Sequence, residues 1–413
     1  MKVAIIGAGV AGIASLKYVS EAGYECDCYE ETESYGGTWV YTDKAVIDDD
    51  GFPVYRNMYK DLITNLPRQL MTLSDVPYDN SKKNVYLKQP EVLEYLTKFV
   101  NMFKLESSIK YRHQVIKIEP HDCHKWLLIA KHLKNNITTS KVYDFVFVCN
   151  GHCRYPRVPK IIGKNLFEGL QMHSRDFRNP IIFKSKRVLI IGAANSGTDI
   201  SQKIQKVAKT IFISHWKPIL AKVHNSISKK PTVTKFTKNT AIFSDGTAEE
   251  IDAVVYCTGY EYKFPFLPAS TGITVSNNWV KPLYKHIVNI EYPTMFFIGI
   301  PFFSAAFLVS DIQARFAVSV IEKKTILPSK SEMLHELNNY ITKLRMEKIP
   351  QRHVHKLGYK QKEYFDDLDK TASLVPFPPV YNNLYEYLRV NINSILGGKK
   401  SYMFVGNETF IEN

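Results

Sequence analysis

A dithiol motif, a long apolar run and an acidic counterweight to a basic central stretch are all missing from this chain. Its 413 residues hold only six cysteines. None is spaced CxxC, which excludes a dithiol reductase, and no Cys/His spacing suits zinc, so no metal is expected. Cys26, Cys28, Cys149 and Cys257 lie in apolar strand-like runs, where a thiol acts as a small core residue, and buried free thiols are expected. No apolar run approaches the roughly 18 residues that cross a bilayer, so no membrane anchor is expected. Met1 stands directly before the first apolar strand, leaving no space for a signal peptide. A soluble, cytoplasmic protein is the expectation for the chain as it stands. The sequons Asn136-Ile137-Thr138 and Asn407-Glu408-Thr409 keep secretion open for a mature or trimmed chain.

Acid is also absent from Ile200 to Ser244, where Lys203, Lys206, Lys209, Lys217, Lys222, Lys229, Lys230, Lys235 and Lys238 stand without an Asp or Glu, within a chain of net charge +14. Such a stretch attracts a polyanion. Nucleic acid is one candidate, but the stretch directly follows a glycine-rich turn, and a phosphorylated nucleotide is the reading preferred, with no nucleic-acid partner expected. A length of 413 residues with 45% hydrophobic composition suits two domains with buried cores.

Two glycine turns organise the chain. Gly7-Ala8-Gly9-Val10-Ala11-Gly12 follows the apolar strand Lys2 to Ile6, and Gly192-Ala193-Ala194-Asn195-Ser196-Gly197 follows Arg187 to Ile191. One GxGxxG is a weak signal; two in the same strand-turn-helix setting point to two bound dinucleotides. In the first, Gly7 permits a tight bend, Gly9 lets the backbone approach a pyrophosphate, and Gly12 lets the helix pack on the strand, its N-terminal N–H groups facing the anion. Glu30, 23 residues after Gly7, ends the second strand, where a carboxylate accepts from ribose hydroxyls, so FAD or NAD fits. The same 23 residues from Gly192 reach His215, within Ser214-His215-Trp216-Lys217. Hydroxyl and basic groups there suit a 2′-phosphate, with Lys217 first and His215 and Ser214 as helpers, which favours NADP. Asn195 and Ser196 add donors at the turn.

The pattern predicts an α/β protein with two Rossmann-like dinucleotide-binding domains, the NADP domain inserted into a larger FAD domain. The boundaries are a first part of the FAD domain over 1–160, an inserted domain over 161–282, and the second part of the FAD domain with a Lys-, Tyr- and Pro-rich tail over 283–413. The expected elements include a helix from about 11 to 22, strand 25 to 29, a helix near 90 to 103, strand 295 to 300 and a helix over 309 to 323. The irregular stretch from Tyr41 to Asp79 is expected to wall a cofactor.

Between the turns, Phe167-Glu168-Gly169-Leu170-Gln171-Met172-His173-Ser174-Arg175-Asp176-Phe177 fits FxGxxxHxxx(Y/F). With the turns, this resembles the flavin-containing monooxygenase family. Tyr35-Gly36-Gly37-Thr38-Trp39 resembles its GG-x-W segment, Asn65 with Leu73-Ser74-Asp75-Val76-Pro77 its Asn-containing active-site stretch, Cys257-Thr258-Gly259-Tyr260 its A-T-G-Y, and Gln313-Ala314-Arg315 its Q-x-R helix. The resemblance covers roughly residues 1 to 320. Compact length and the lack of an apolar C-terminal anchor resemble the soluble insect enzymes that N-oxygenate pyrrolizidine alkaloids, a detoxification. Departures are Ala194 for the usual glycine, Lys217 for the usual Arg and Cys257 for the usual Ala; Phe177 stands where Baeyer–Villiger enzymes carry Trp.

The resemblance implies an oxidoreductase in which NADPH reduces FAD and the flavin traps O2 as a C4a-hydroperoxide that oxygenates a soft nucleophile, a tertiary amine or sulfide. N-oxidation of an alkaloid-like amine is the expected reaction; Baeyer–Villiger or S-oxygenation, and a non-catalytic FAD/NADP sensor, are the alternatives. Asn65 is the expected catalytic amide. Expected contacts to FAD come from residues 7–12 (Gly7, Ala8, Gly9, Val10, Ala11 and Gly12), Glu30, Gly37, Thr38, Trp39, Thr64, Asn65, Leu66 and Gln313. For NADP they are Gly192, Asn195, Ser196, Gly197, Thr198, Asp199, Ser214, His215 and Lys217. His173 is expected to fix the nucleotide domain rather than act as a base. Phe302, Phe303 and Phe307 are weighed as pocket or core, and a homo-oligomer stays open.

Overall fold

Runs of β-branched and aromatic residues build two sheets, the smaller all parallel and the larger parallel except for its antiparallel edge strands 283–289, in a computed structural model that describes residues 1–44, 47–48, 51–52, 56–78, 85–217, 224–391 and 400–412. In the larger sheet the strands lie in the order Leu283–Tyr284, Val288–Asn289, Met295–Phe297, Phe145–Val148, Lys2–Ile6, Glu25–Tyr29 and Ile109–Lys110. Lys2–Ile6 pairs in parallel with Phe145–Val148 on one side and Glu25–Tyr29 on the other. Along it Val3 and Ile5 enter one core, while Ala4 and Ile6 enter another, as the two-residue period of a strand requires.

The smaller sheet repeats this plan: Ile227–Lys230, Thr210–Ser214, Arg187–Ile191, Ala253–Tyr256 and Leu170–His173. Each central strand turns into a helix, Val10–Glu21 in the first unit and Asn195–Ile204 in the second. Each unit also has an antiparallel meander before its last nucleotide-side strand: 113–143 precedes Phe145–Val148, and 233–250 precedes Ala253–Tyr256.

The return boundary lies earlier than 282. Tyr262, Phe264, Phe266, Ile273 and Val280 pack with Ala4, Val146 and Phe297 of the first unit, so the inserted unit ends near Tyr260. The two connections run side by side as an antiparallel pair, Tyr155–Pro156 with Tyr260–Glu261. Buried on almost every side, helix Ala306–Ile321 lies between Val10–Glu21 and Gln361–Ala372. The tail returns to the first unit through Lys330–Met346, Gln361–Ala372 and Pro379–Val390, whose Met333, Tyr364, Leu368 and Leu384 join that unit's core. Among the described residues no helix is long and apolar enough to cross a membrane.

The lysines of the 200–244 stretch do not form one face. Lys230 pairs with Glu249, Lys238 with Glu168, and Lys203 donates to the Asp61 carbonyl at 2.8 Å; Lys222 lies outside the described residues.

Candidate functional site

Gly7 has φ +99°, and a Cβ on it would lie 2.8 Å from the Cys149 carbonyl oxygen; one on Gly12 would lie 1.8 Å from the Gly7 oxygen. Neither position admits a side chain. Gly9 differs: it caps the helix at φ −76° and ψ −171°, and its Cβ would meet only Gly37 Cα, at 3.7 Å. Gly37, at φ +54°, lies so close that its own Cβ would fall 2.9 Å from Gly9 Cα, and Gly36 donates its N–H to Ala8 O at 2.8 Å. The two glycine segments thus face each other backbone to backbone over the helix N-terminus, with no first-turn acid to compete with an anion.

Glu30 closes the turn from below. It is 8% exposed; one carboxylate oxygen accepts from Ala8 N–H at 2.8 Å, and the other from the Thr32 N–H and hydroxyl at 2.9 and 2.8 Å. Each oxygen of a carboxylate has two acceptor directions, so capacity for ribose hydroxyls remains. The exposed Thr38 donates its hydroxyl to Asn57, which withdraws it from the cradle. Trp39 sets its ring edge-on to Phe307 at 6.2 Å, and its carbonyl accepts from Gln89.

The strip carrying Asn65 runs beside the segment holding Gln89. Thr64 pairs by N–H with Leu87 O at 2.9 Å; its buried hydroxyl donates to Leu66 O at 2.8 Å and accepts from Leu87 N–H at 3.0 Å. Thr64 is therefore a brace for this strip, and Leu66 is half-buried. Asn65 between them is exposed, and its amide has no hydrogen-bond partner among the described residues. Gln313 is fully buried, accepting from Gly299 N–H at 2.8 Å and donating to Tyr364 at 2.7 Å. Its amide positions the Gly299 bend, whose Cβ site is 3.3 Å from Ala11 Cβ, so Gln313 reaches the first turn through Gly299 and not directly.

The second turn reproduces the first. Gly192 has φ +109° with a Cβ site 2.2 Å from Cys257 O, and the Gly197 site is 1.9 Å from Gly192 O. Ala194 takes Gly9's place at φ −84° and ψ −171°, a conformation any residue adopts. Asn195 is exposed and Ser196 half-buried at the mouth of this turn. Three side chains expected to contact NADP have partners within the protein. Thr198 is buried and returns its hydroxyl to Ala194 O and Asn195 O; Asp199 accepts from Tyr59 at 2.5 Å; Ser214, 1% exposed, donates to Pro231 O at 2.5 Å. Of these partners only Tyr59 is buried. His215 Nδ1 accepts from Lys217 N–H at 3.1 Å, and Lys217 is exposed with Nζ 4.5 Å from the Trp216 ring.

The linking motif is structural in its physics. A Cβ on Gly169 would lie 2.5 Å from Asp252 O, and Phe177 is fully buried. His173 Nδ1 accepts from Arg175 N–H at 3.1 Å, so Nε2 carries the hydrogen donated to Gly259 O at 3.1 Å. Burial pushes His173 down to about 4, which leaves it neutral and without a free nitrogen for base chemistry. Phe307 is core, at 2% exposure, whereas Phe303 is 39% exposed.

Three residues went unseen in the sequence. Trp216 is 58% exposed beside Lys217, and its placement one residue past the His215 position was the available signal. Tyr59 ties the first unit to Asp199 of the second, and Arg178 donates to the carbonyls of Arg175, Phe177 and Arg56 at 2.7, 3.0 and 2.8 Å. Both depend on long-range folding that leaves no local pattern.

The family model described as flavin-binding monooxygenase-like matches residues 1–226 and 219–405. Senecionine N-oxygenase of Tyria jacobaeae is 34% identical over 398 residues, 94% of this chain and 86% of that protein. S-allyl-L-cysteine S-oxygenase from Allium sativum has a solved structure with TM-score 0.88 and 30% identity, covering 95% of this chain and 93% of its own. Tmm from Pelagibacter sp. strain HTCC7211 has TM-score 0.88 and 27% identity, with 99% and 96% covered.

Proposed function

Because the chain belongs to the flavin-binding monooxygenase-like family, we propose that this monooxygenase N-oxygenates a neutral tertiary amine of the alkaloid class. Its cofactors are FAD and NADPH. The residues fit both: the side-chain-free cradle of Gly9 and Gly37 admits a pyrophosphate, and Asn195, Ser196, Trp216 and Lys217 offer amide, hydroxyl, aromatic and cationic groups around the second helix N-terminus. When bound, NADPH supplies two electrons and FAD activates O2. The chain's own residues do the rest: Gly7 to Gly12, Glu30, Gly37 and Trp39 hold the flavin nucleotide; Gly192, Asn195, Ser196, Gly197, His215 and Lys217 hold NADPH.

Asn65 is assigned the polar contact at the reacting end. Its amide is exposed and has no partner among the described residues, so it can donate a hydrogen bond without releasing a proton, where a carboxylic acid would supply one. His173, neutral and doubly hydrogen-bonded, fixes the geometry of the domain connection. The observation that carries the amine reading is the likeness to senecionine N-oxygenase over nearly the whole chain. S-oxygenation is the second reading, favoured by the likeness to S-allyl-L-cysteine S-oxygenase.

The test is turnover of a pyrrolizidine tertiary amine, an alkyl cysteine thioether and a cyclic ketone, each with NADPH loss matched to product by mass spectrometry. Coupled N-oxide formation above the other two is expected. A thioether turned over well while the amine is untouched sinks the amine reading, and failure of NADPH to bleach the flavin anaerobically sinks the oxygenase reading altogether.

A further inference from the structure

Besides the paired connections, residues 56–62 of the first unit reach into the second. Tyr59 is 7% exposed and lies in the second unit's core, its ring edge-on to the fully buried Phe177 at 5.3 Å, and Leu62 packs against the same core. The Tyr59 hydroxyl donates to Asp199 at 2.5 Å. One helical turn on, Lys203 donates to the Asp61 carbonyl at 2.8 Å, with its Nζ 5.7 Å from the Tyr59 ring. Asp199 and Lys203, four residues apart, share one face of helix Asn195–Ile204. Arg178 closes the group from the linker, donating to Arg56 O at 2.8 Å while its own carbonyl accepts from Lys60 N–H at 3.0 Å.

The chain changes sides at Asp61, which has φ +58°. Directly after it Leu62 O accepts from Gln89 N–H at 3.1 Å, Ile63 bridges Lys88, and Thr64 N–H donates to Leu87 O. Residues 56–61 are thus fastened to the second unit and 63–64 to the first, with Leu62 shared and Asn65 next in line. Four residues of extended chain, about 14 Å at most, separate the Asp61 contact from Asn65. Helix Asn195–Ile204 begins at the second glycine turn, so one rigid element carries both that turn and the partner of Tyr59. A phenylalanine would fill the space of the Tyr59 ring; the hydroxyl adds a directional, charge-assisted bond. Burial and the Asp199 carboxylate hold this hydroxyl far above its ordinary value, so it stays a donor.

We propose that Tyr59 is a positioning residue for the oxygenation: bonded to Asp199, it registers the Asn65 strip against the helix of the second nucleotide turn, so that Asn65 meets the reacting end of the bound cofactors. The inference rests on the role assigned to Asn65 above.

The experiment gives the FAD-loaded enzyme NADPH in air without substrate and follows H2O2, formed as NADPH, a proton and O2 become NADP+ and H2O2. Anaerobic bleaching of the flavin by NADPH is followed beside it. Tyr59→Phe should release H2O2 about tenfold faster, the scale of a lost charge-assisted hydrogen bond, and approach Asn65→Ala, with bleaching kept to within about twofold. Asp199→Asn, whose amide oxygen still accepts, should stay close to wild type. Asp199→Ala should match Tyr59→Phe, and the double variant should be no faster than either. Independently of turnover, hydrogen exchange at Lys60 to Thr64 should quicken in Tyr59→Phe, but not in strand Lys2–Ile6. Wild-type release by Tyr59→Phe beside fast release by Asn65→Ala overturns the proposal alone. Additive effects in the double variant, or exchange quickened equally in both segments, also overturn it by marking a general structural role. Wild-type release by Asn65→Ala overturns the Asn65 assignment and the proposal together.

Discussion

Gly9→Ala should separate folding from cofactor binding in the first turn. The added Cβ meets only Gly37 Cα, at 3.7 Å, and Gly9 already has φ −76°, so the folded chain accommodates alanine. Ala194 occupies the same backbone conformation in the second turn. Loss of unfolded-state freedom favours alanine by about 0.4 to 1 kcal/mol, while alanine is a poorer helix N-cap by a comparable amount, so apo stability should change by less than about 1 kcal/mol. FAD meets a different surface: the methyl group enters the space between the Gly9 and Gly37 backbones, and overpacking of a close contact costs about 1 to 3 kcal/mol. Affinity should fall by about 5- to 150-fold on the scale of 1.4 kcal/mol per decade.

Thermal unfolding of the FAD-stripped protein and titration of flavin fluorescence measure the two quantities. Gly12→Ala is the contrast, because its Cβ would lie 1.8 Å from Gly7 O and the turn itself must break. Retention of FAD by Gly9→Ala to within about twofold of wild type would refute the reasoning, since such a change is under 0.5 kcal/mol and incompatible with an occupied cradle. Loss of the fold in Gly9→Ala would refute it as well. Ala194→Gly is the mirror substitution and should tighten NADP binding.

Asn65→Ala should leave stability within about 0.5 kcal/mol, the side chain being exposed and unpaired, while NADPH consumption yields H2O2 in place of oxygenated product; a peroxide assay and a melting curve check both. Acidification should weaken the fold between pH 6.5 and 4. Burial holds His173, His286 and His353 at about 4 and His355 well below its ordinary value, whereas His152 alone is raised. The unfolded chain therefore binds more protons in that window, and stability present above it is lost as the pH falls; for His173 the share is up to about 3 kcal/mol, so His173→Gln should flatten the denaturant midpoint's pH dependence. Asp369, raised by burial to about 6 with one carboxylate oxygen buried and unpartnered, acts in the opposite sense, ionising in the unfolded chain before the folded one as the pH rises. Asp369→Asn should add about 1 kcal/mol at pH 7.5, discounted for its half-exposure, and nothing at pH 4; an equal gain at both values would contradict the ionic origin.

The tail shows how far local signals reach. Ser329-Lys330-Ser331-Glu332 is a capping box that announces helix Lys330–Met346, with Ser329 N–H donating to Glu332 at 2.8 Å, and it passed unread among the lysines and tyrosines. The sequence carries no local signal for the packing of Tyr262 to Val280, and only the folded chain shows these residues against the first sheet, ahead of the expected boundary at 282.

By itself the sequence determined the two nucleotide turns with the strand before and the helix behind each, because steric demands at Gly7, Gly12, Gly192 and Gly197 and the two-residue period of buried strands are local. Tertiary structure decided which side chains remain free to meet a ligand. Thr198, Asp199 and Ser214 stand in the right places in the chain, but their side chains bond Ala194, Tyr59 and Pro231, while the Trp216 ring stays exposed. A hydrogen-bond partner or a neighbouring charge is set by distance in space, and spacing along the chain carries no record of it.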